Sequence, residues 1–250
     1  MITSVGGKGM RGIFVLVALT SVVFGSGVAR AGDDVHHTSH RLLAVQGQNL
    51  KWGQPSPGTP AVIRYAFADA PVARPEARNC KAMQALPARM NKGGPSFDAV
   101  ASEIHRAFET WEKVANVSFV YVTDVAEADV LVGAQQVPKG IAFADVNYRT
   151  SSSASMASIR KAAICFNPEV LWETAFDQDE STYDMRYVAM HEIGHVLGLN
   201  HALGKTNSIM GFRYRESVRA PQAGDIAGVT VLYGPKVTRA AAMQAQPVRY

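Results

Sequence analysis

The sequence predicts an α+β domain, on three observations. Short apolar runs with strand-like alternation bracket one long amphipathic helix in the first part of the chain. A second helical stretch, opened by residues 181–184 and ended by Gly198, comes next and carries histidines at helical spacing, and a third apolar segment closes the pattern near residues 221–232. Strands and a helix first, then helices, is the order of an α+β fold.

Residues 53–60, rich in glycine and proline, lead into a first strand at residues 62–67. Residues 69–95 read as loop and hold the first cysteine. Phe97, Val100, Ile104, Ala107, Phe108, Trp111 and Val114 then recur at three and four residues, with Ser96 as N-cap and Asn116 as the stop. His105, alone on that helix, reads as structural. Residues 117–122 and 130–133 read as strands, and residues 140–146 as another. Residues 150–158 form a serine-rich loop, and residues 162–166 a short strand bearing Cys165. Ser181-Thr182-Tyr183-Asp184 fits a capping box that opens the second helix. Past His201 the chain reads as irregular until the last helix, and residues 236–250 form a tail.

The first 31 residues read as a cleavable export signal rather than fold. Lys8 and Arg11 are followed by an apolar run at residues 13–24, and Ala29-Arg30-Ala31 supplies small residues before Gly32. The run is shorter than the roughly 20 residues a membrane span needs. Removing it takes away three cations and no acid, which lowers the formal net charge from +4 to +1. Net charge therefore gives no support to nucleic-acid or membrane binding. Residues 32–50 are polar, with His36, His37 and His40, and are expected to be a short N-terminal or pro-segment. Residues 51–235 suffice for one ample core, and a monomer is expected. The two cysteines, Cys80 and Cys165, are expected to pair in an oxidising compartment. Such a link would close a long loop and contribute on the order of 4 kcal/mol. Cys80 as an inhibitory metal ligand is the other reading.

The segment that carries chemistry runs His191-Glu192-Ile193-Gly194-His195-Val196-Leu197-Gly198-Leu199-Asn200-His201. On a helix, His191 and His195 lie at i and i+4 and project from one face. Glu192 points off at an angle, where it reaches a water rather than the ion. Gly198 can end the helix in a left-handed conformation, so that the reversed chain brings back His201. Three nitrogens leave the fourth zinc position open, the pattern of a catalytic site rather than a structural one. Ser208-Ile209-Met210-Gly211 comes after, an apolar turn centred on Met210.

H-E-x-x-H-x-x-G-x-x-H followed by a methionine turn is the metzincin signature. Among metzincins the chain most resembles the matrixins, the matrix-metalloproteinase family, from about residue 51 to residue 234. Val188-Ala189-Met190-His191-Glu192 through Leu199 is similar to that family's active-site helix, and Asp225-Ile226-Ala227-Gly228 through Gly234 to its closing helix. Ala107-Phe108-Glu109-Thr110-Trp111, Glu127-Ala128-Asp129-Val130 and Ile164-Cys165-Phe166-Asn167 are weaker echoes in the same order. The resemblance implies a metzincin or zincin-like catalytic domain: a twisted mixed sheet, a long packing helix, an active-site helix and a C-terminal helix. It also marks departures. Residues 140–190 contain no histidine for a second, structural zinc, and Gly224-Asp225 stands where the family has paired aspartates. Neither a cysteine pro-segment nor a haemopexin-like domain is legible, so the closer likeness is to a minimal bacterial-type member.

The function so implied is a secreted or periplasmic zinc endopeptidase acting on proteins or peptides, with Glu192 as general base. Met210 would floor the site and Asp225 would accept hydrogen bonds from the methionine turn. The segment at Ala142 resembles the substrate-pairing strand, while Phe212 and Tyr214 would wall the adjoining pocket. Tyr214 is also a candidate to approach the zinc. One catalytic zinc is expected; Asn167, Glu169, Asp177 and Asp179 offer oxygens but form no calcium ligand loop. Two other readings stay open: a non-catalytic zinc-binding secreted domain, and a zinc amidase acting on cell-wall peptides.

Overall fold

The computed structural model describes residues 40–175, 181–204, 207–215 and 217–237; the expected export signal, residues 1–31, and Asp177 and Asp179 lie outside them. In chain order the elements are β1 (Arg41–Leu42), β2 (Ala44–Val45), β3 (Gln48–Lys51), β4 (Ala61–Phe67), β5 (Val72–Ala73), β6 (Ala82–Gln84), α1 (Phe97–Glu112), β7 (Val117–Tyr121), β8 (Val130–Gln135), β9 (Ala142–Arg149), β10 (Met156–Phe166), β11 (Trp172–Glu173), β12 (Tyr183–Asp184), α2 (Met185–Val196), β13 (Leu199–Asn200) and α3 (Ala223–Tyr233). This is an α+β domain built on one mixed sheet.

The sheet runs β2-β3-β10-β8-β4-β7, with β9 on the other edge of β10 and the β5–β6 pair attached to β8. The pairs β4–β7, β4–β8, β8–β10 and β3–β10 are parallel; β9–β10 is antiparallel, Ala142 facing Phe166 and Arg149 facing Ser158. The parallel strands β8 and β10 read as nearly continuous apolar runs because both of their faces are covered.

Helix α1 forms where the apolar stripe lies: Val100, Ile104, Ala107, Phe108 and Trp111 are buried, and the Ser96 side chain accepts a hydrogen bond from the Ala99 N–H. It ends at Glu112, earlier than the Asn116 stop, because Asn116 is already committed to tertiary bonds with Gly234 and Ala61. His105 is structural, its Nδ1 2.6 Å from the Tyr65 hydroxyl.

Four local readings need correction. Residues 69–95, expected as loop, hold β5 and β6, which form because β6 pairs with β8 and β5 with β6. Strands β1 to β3 form within residues 40–51, where a polar segment is expected; they take their order from β10 and β13 rather than from any pattern of their own. Strand β10 begins at Met156, inside the expected serine-rich loop, because Met156, Ala157 and Ser158 pair with Asn49, Leu50 and Lys51. The N-cap of α2 is Asp184, not Ser181. Pairing of Trp172 and Glu173 with Tyr183 and Asp184 keeps the chain extended that far, and the Asp184 carboxylate then accepts from the Tyr187 N–H at 2.6 Å.

Candidate metal centre and its cleft

Helix α2 crosses α1, and the contact is set by a glycine. A Cβ on Gly194 would lie 2.3 Å from the Met210 sulfur and 3.1 Å from the Trp111 ring. Only a bare Cα lets the methionine turn on one side and α1 on the other close on the helix between the two histidines. The Trp111 indole N–H donates to the Met190 carbonyl at 2.9 Å, and Arg186 pairs with the buried Glu103 of α1. The helix therefore holds His191 and His195 on a backbone that cannot roll. Sequence reasoning alone does not single out Gly194; its position inside the motif, between two ligands on a packed helix, is the signal that could have found it.

Past α2, Gly198 adopts φ +100°, in the left-handed region, and the chain reverses through β13 to His201. The Nε2 atoms of His191 and His195 each lie 3.2 Å from His201 Nε2. Two nitrogens held 2.0–2.1 Å from a tetrahedral zinc stand about 3.3–3.4 Å apart, close to these two spacings, and all three donor atoms lie within 4.8 Å of one another. Proton bookkeeping points the same way. His191 Nδ1 donates to the Ile209 carbonyl at 2.7 Å and His195 Nδ1 to the Leu199 carbonyl at 2.9 Å. A carbonyl can only accept, so both Nδ1 atoms carry hydrogen and both Nε2 lone pairs face the same point. Burial pushes His191 down to about 4, helped by the neighbouring His201 and opposed by the Ile209 carbonyl. Burial also holds His195 well below the ordinary imidazole range, and lowers His201, there with help from Arg41. Neutral imidazoles with converging lone pairs are what a metal ligand set requires. Among the described residues, these three form the one cluster of histidine, cysteine or carboxylate donors placed to share an ion.

Met210 is buried beneath α2, and its turn is tied down by a single carboxylate. Asp225, only 2% exposed, accepts from the Ser208 hydroxyl at 2.5 Å, the Ile209 N–H at 2.9 Å, the Met210 N–H at 3.3 Å and the Gln222 N–H at 2.8 Å. The Ile209 carbonyl is the acceptor for His191, so the chain Asp225, methionine turn, His191 is continuous. The single aspartate at the start of α3 thus both caps that helix and orients a ligand.

Comparison with known proteins agrees with this geometry. The matrixin family model matches residues 89–234, more than half of the chain. The chain belongs to the matrixin family. It is 31% identical over 140 residues to Metalloendoproteinase 1-MMP of Arabidopsis thaliana, covering 54% of this chain and 38% of that protein. Interstitial collagenase of Sus scrofa is 29% identical over 149 residues (56% and 29%), and Matrix metalloproteinase-16 of Homo sapiens 30% over 145 (53% and 23%). The chain thus spans little more than a third of the length of the relatives it matches, or less. The family implies zinc, and the three imidazoles fit it.

Beside the matrixin histidines lies a cleft lined by Ile141, Ala142, Phe143, Tyr187, Val188, His191, Glu192, Gly211, Phe212 and Tyr214. Phe212 and Tyr214, expected as its wall, and Ala142, expected on the substrate-pairing strand, all line it. The Phe212 ring stands edge-on to His201 at 5.3 Å. The Tyr214 ring packs on Tyr183 and Tyr187, and its hydroxyl accepts from the Asp184 N–H at 2.9 Å. That fixes the hydroxyl at the N-terminus of α2, about 10 Å along the helix from His191 by helical rise. Tyr214 lines the cleft, and its hydroxyl is engaged at Asp184 rather than among the imidazoles. Glu192 is 3% exposed; burial pushes its carboxyl up to about 8, opposed by a hydrogen bond with the Ala144 backbone and aided by Asp145.

Among the described residues β9 pairs only with β10, so its other edge, at Ala142 and onward, is open. The disulfide Cys80–Cys165 is formed, and it steadies this edge from behind. Cys165 sits on β10 opposite Phe143, while Asp145 of β9 accepts from the N–H groups of Asn79 and Cys80 at 2.9 and 2.6 Å. Asn167 spends its side chain on the Gly140 carbonyl and the Glu169 N–H, which accounts for its burial without an ion.

Proposed function

We propose that this matrixin is a secreted zinc-dependent endopeptidase that hydrolyses peptide bonds in protein substrates, with Glu192 as general base. The observation that carries the reading is the convergence of three imidazole Nε2 atoms next to a buried carboxyl, at the mouth of an apolar cleft flanked by an open strand edge. His191, His195 and His201 would hold the zinc, which when bound supplies Lewis-acid chemistry: it acidifies water and polarises a carbonyl.

The chain's own residues supply the rest. The free edge of β9 offers backbone donors and acceptors that would align an extended peptide, giving affinity with little sequence preference. The apolar cleft under Tyr187, Val188 and Tyr214 would receive one apolar side chain of that peptide. Glu192 faces the bond so placed. Its carboxyl has a proton affinity raised by burial, and a divalent cation alongside draws it back towards the acid range. Glu192 can therefore take a proton from the attacking water and return it to the leaving nitrogen. Water is the nucleophile, so no covalent acyl-enzyme forms. All four groups come from one chain, so a monomer suffices. Export rests on the Lys8–Arg11 n-region and the apolar run after it; no described helix is long and apolar enough to cross a membrane.

Cleavage profiling of a denatured proteome tests the reading. Cleavage should vanish with a chelator and return with zinc. In Glu192→Gln, zinc should be retained while the rate falls by about 10²–10⁴. Substantial proteolysis by that variant would remove Glu192 from the mechanism. Turnover of peptidoglycan fragments in place of proteins would move the assignment to a cell-wall amidase.

A further inference from the structure

The last turn of the active-site helix is finished by groups that the helix does not own. The Val196 carbonyl accepts from the Trp52 indole N–H at 2.8 Å. The Leu197 carbonyl accepts from the Tyr233 hydroxyl at 2.8 Å, and the Gly198 carbonyl from the Leu43 N–H at 2.7 Å. Helix ends leave such carbonyls without partners; here three successive ones are taken up, two of them by residues 43 and 52. Trp52 is itself tied in, its backbone N–H donating to the Tyr233 hydroxyl at 3.1 Å. Beyond Gly198, β13 pairs antiparallel with β1, Leu42 against Leu199 and Arg41 against Asn200. The next residue is His201.

The chain is shaped to receive this segment. A Cβ on Gly198 would stand 2.2 Å from the Leu50 carbonyl oxygen, and one on Gly228 of α3 would stand 3.1 Å from the His40 Cβ. Gln46 and Gly47, at φ 50° and 81°, turn the segment back on itself. The Leu50 N–H then donates to the Leu43 carbonyl at 2.9 Å, and β3 joins β10. A strap of residues 40–52 thus runs from the central sheet to the doorstep of the third imidazole.

A two-residue strand such as β13 has no stability of its own, and a site built from three nitrogens tolerates displacements of only about 0.5 Å. We propose that residues 40–52 are a positioning strap for His201, with Leu43 and Trp52 as its two attachment points on the end of α2. The strap supplies none of the three candidate ligands. It acts by fixing the backbone from Val196 to Asn200, and so sets where His201 Nε2 falls relative to the helix-borne pair. This role presupposes that the three histidines hold zinc.

The test uses the full chain with two substitutions. Trp52→Phe keeps the ring and removes the indole N–H, and Leu43→Pro removes the N–H that Gly198 uses. Gln48→Ala is the control, since among the described residues the Gln48 side chain bonds to the Ser151 and Ala154 carbonyls, at the far end of the strap. Zinc affinity is measured by chelator competition, the cobalt(II) form is examined by visible absorption, and the thermal midpoint of the metal-free protein is followed in parallel. Trp52→Phe should weaken zinc tenfold or more, the usual scale for changes behind the ligands, and alter the cobalt bands, with Leu43→Pro moving in the same direction. Gln48→Ala should stay within twofold of the parent. Unchanged zinc affinity and cobalt bands in Trp52→Phe overturn the strap, even if Leu43→Pro fails to fold. So does an equal loss in Gln48→Ala, which would mark a general loosening. A parent chain that binds no zinc overturns the metal reading itself, and the strap with it.

Discussion

Two stretches bring ligands to the same point by opposite means. His191 and His195 ride on α2, where helical repeat alone puts them on one face and Gly194 lets the neighbours close in around them. His201 follows a strand of two residues, and its position is borrowed from β1, from Trp52 and from Tyr233. Precision in this small site therefore has two sources. Local periodicity delivers two of three donors; the third needs distant chain to finish the helix end and pin the strand beyond it. Perturbations that act on one stretch and spare the other tell the two sources apart.

The largest expected effect touches neither stretch. Replacing Cys80 and Cys165 with serine should lower stability by on the order of 4 kcal/mol, from the loop of 85 residues that the bond closes. The loss should fall on the β9 edge behind the substrate cleft, while zinc affinity stays within a few fold under folding conditions. Denaturant unfolding and chelator competition on the same samples measure both. A parallel collapse of zinc binding would show that the metal half is not locally held, and the distinction between helix-borne and borrowed ligands would fail.

Asp225→Asn comes next and tests whether α2 is as self-sufficient as its spacing suggests. The carboxylate accepts four hydrogen bonds, three of them from the methionine turn whose Ile209 carbonyl orients His191. An amide keeps the shape but offers one accepting oxygen in place of two. Stability should fall by about 3 kcal/mol, and zinc affinity about tenfold. An unchanged zinc affinity would mean that His191 is placed by the helix alone.

The part of this molecule legible in its sequence is the part whose order is local. The helical stripe from Phe97 to Trp111, the His191–His195 spacing and the left-handed Gly198 all depend on neighbours a few residues away. The Cys80–Cys165 bond is legible for another reason, since two cysteines allow only one intramolecular pairing. Order imposed from afar is not legible in this way. Nothing in Arg41-Leu42 or Gln48-Asn49-Leu50-Lys51 announces a strand, because each is a strand only against β13 or β10. Ser181 has the chemistry of a cap for α2, yet pairing with Trp172 and Glu173 carries the extended chain three residues further, to Asp184. Trp52 and Tyr233 carry no local sign of their role, and only the fold places their polar tips on α2's last carbonyls.

Gly194→Ala probes the helix side directly. The added methyl meets the Met210 sulfur at 2.3 Å, and that sulfur is near the flexible end of its side chain, so the turn can give way at a cost of about 2 kcal/mol. Because Met210 shares its turn with Ile209, the His191 acceptor should shift with it. A modest loss of zinc affinity alongside the stability loss is expected in thermal melts of the metal-free and zinc-loaded forms.

Phe212→Leu should do least to the fold, and its value lies in that. The ring is 56% exposed and meets His201 edge-on without a hydrogen bond. A substitution at such a surface position usually changes stability by less than about 0.5 kcal/mol. If His201 is held from behind, by the backbone pairing of β13 with β1, then shortening the residue in front of it should leave zinc affinity within about twofold of the parent. The change should surface in substrate handling instead, as a higher KM for peptides with kcat little altered, because Phe212 lines the cleft beside Glu192. Loss of zinc in this variant would reverse the assignment, making Phe212 the prop and the N-terminal strap dispensable.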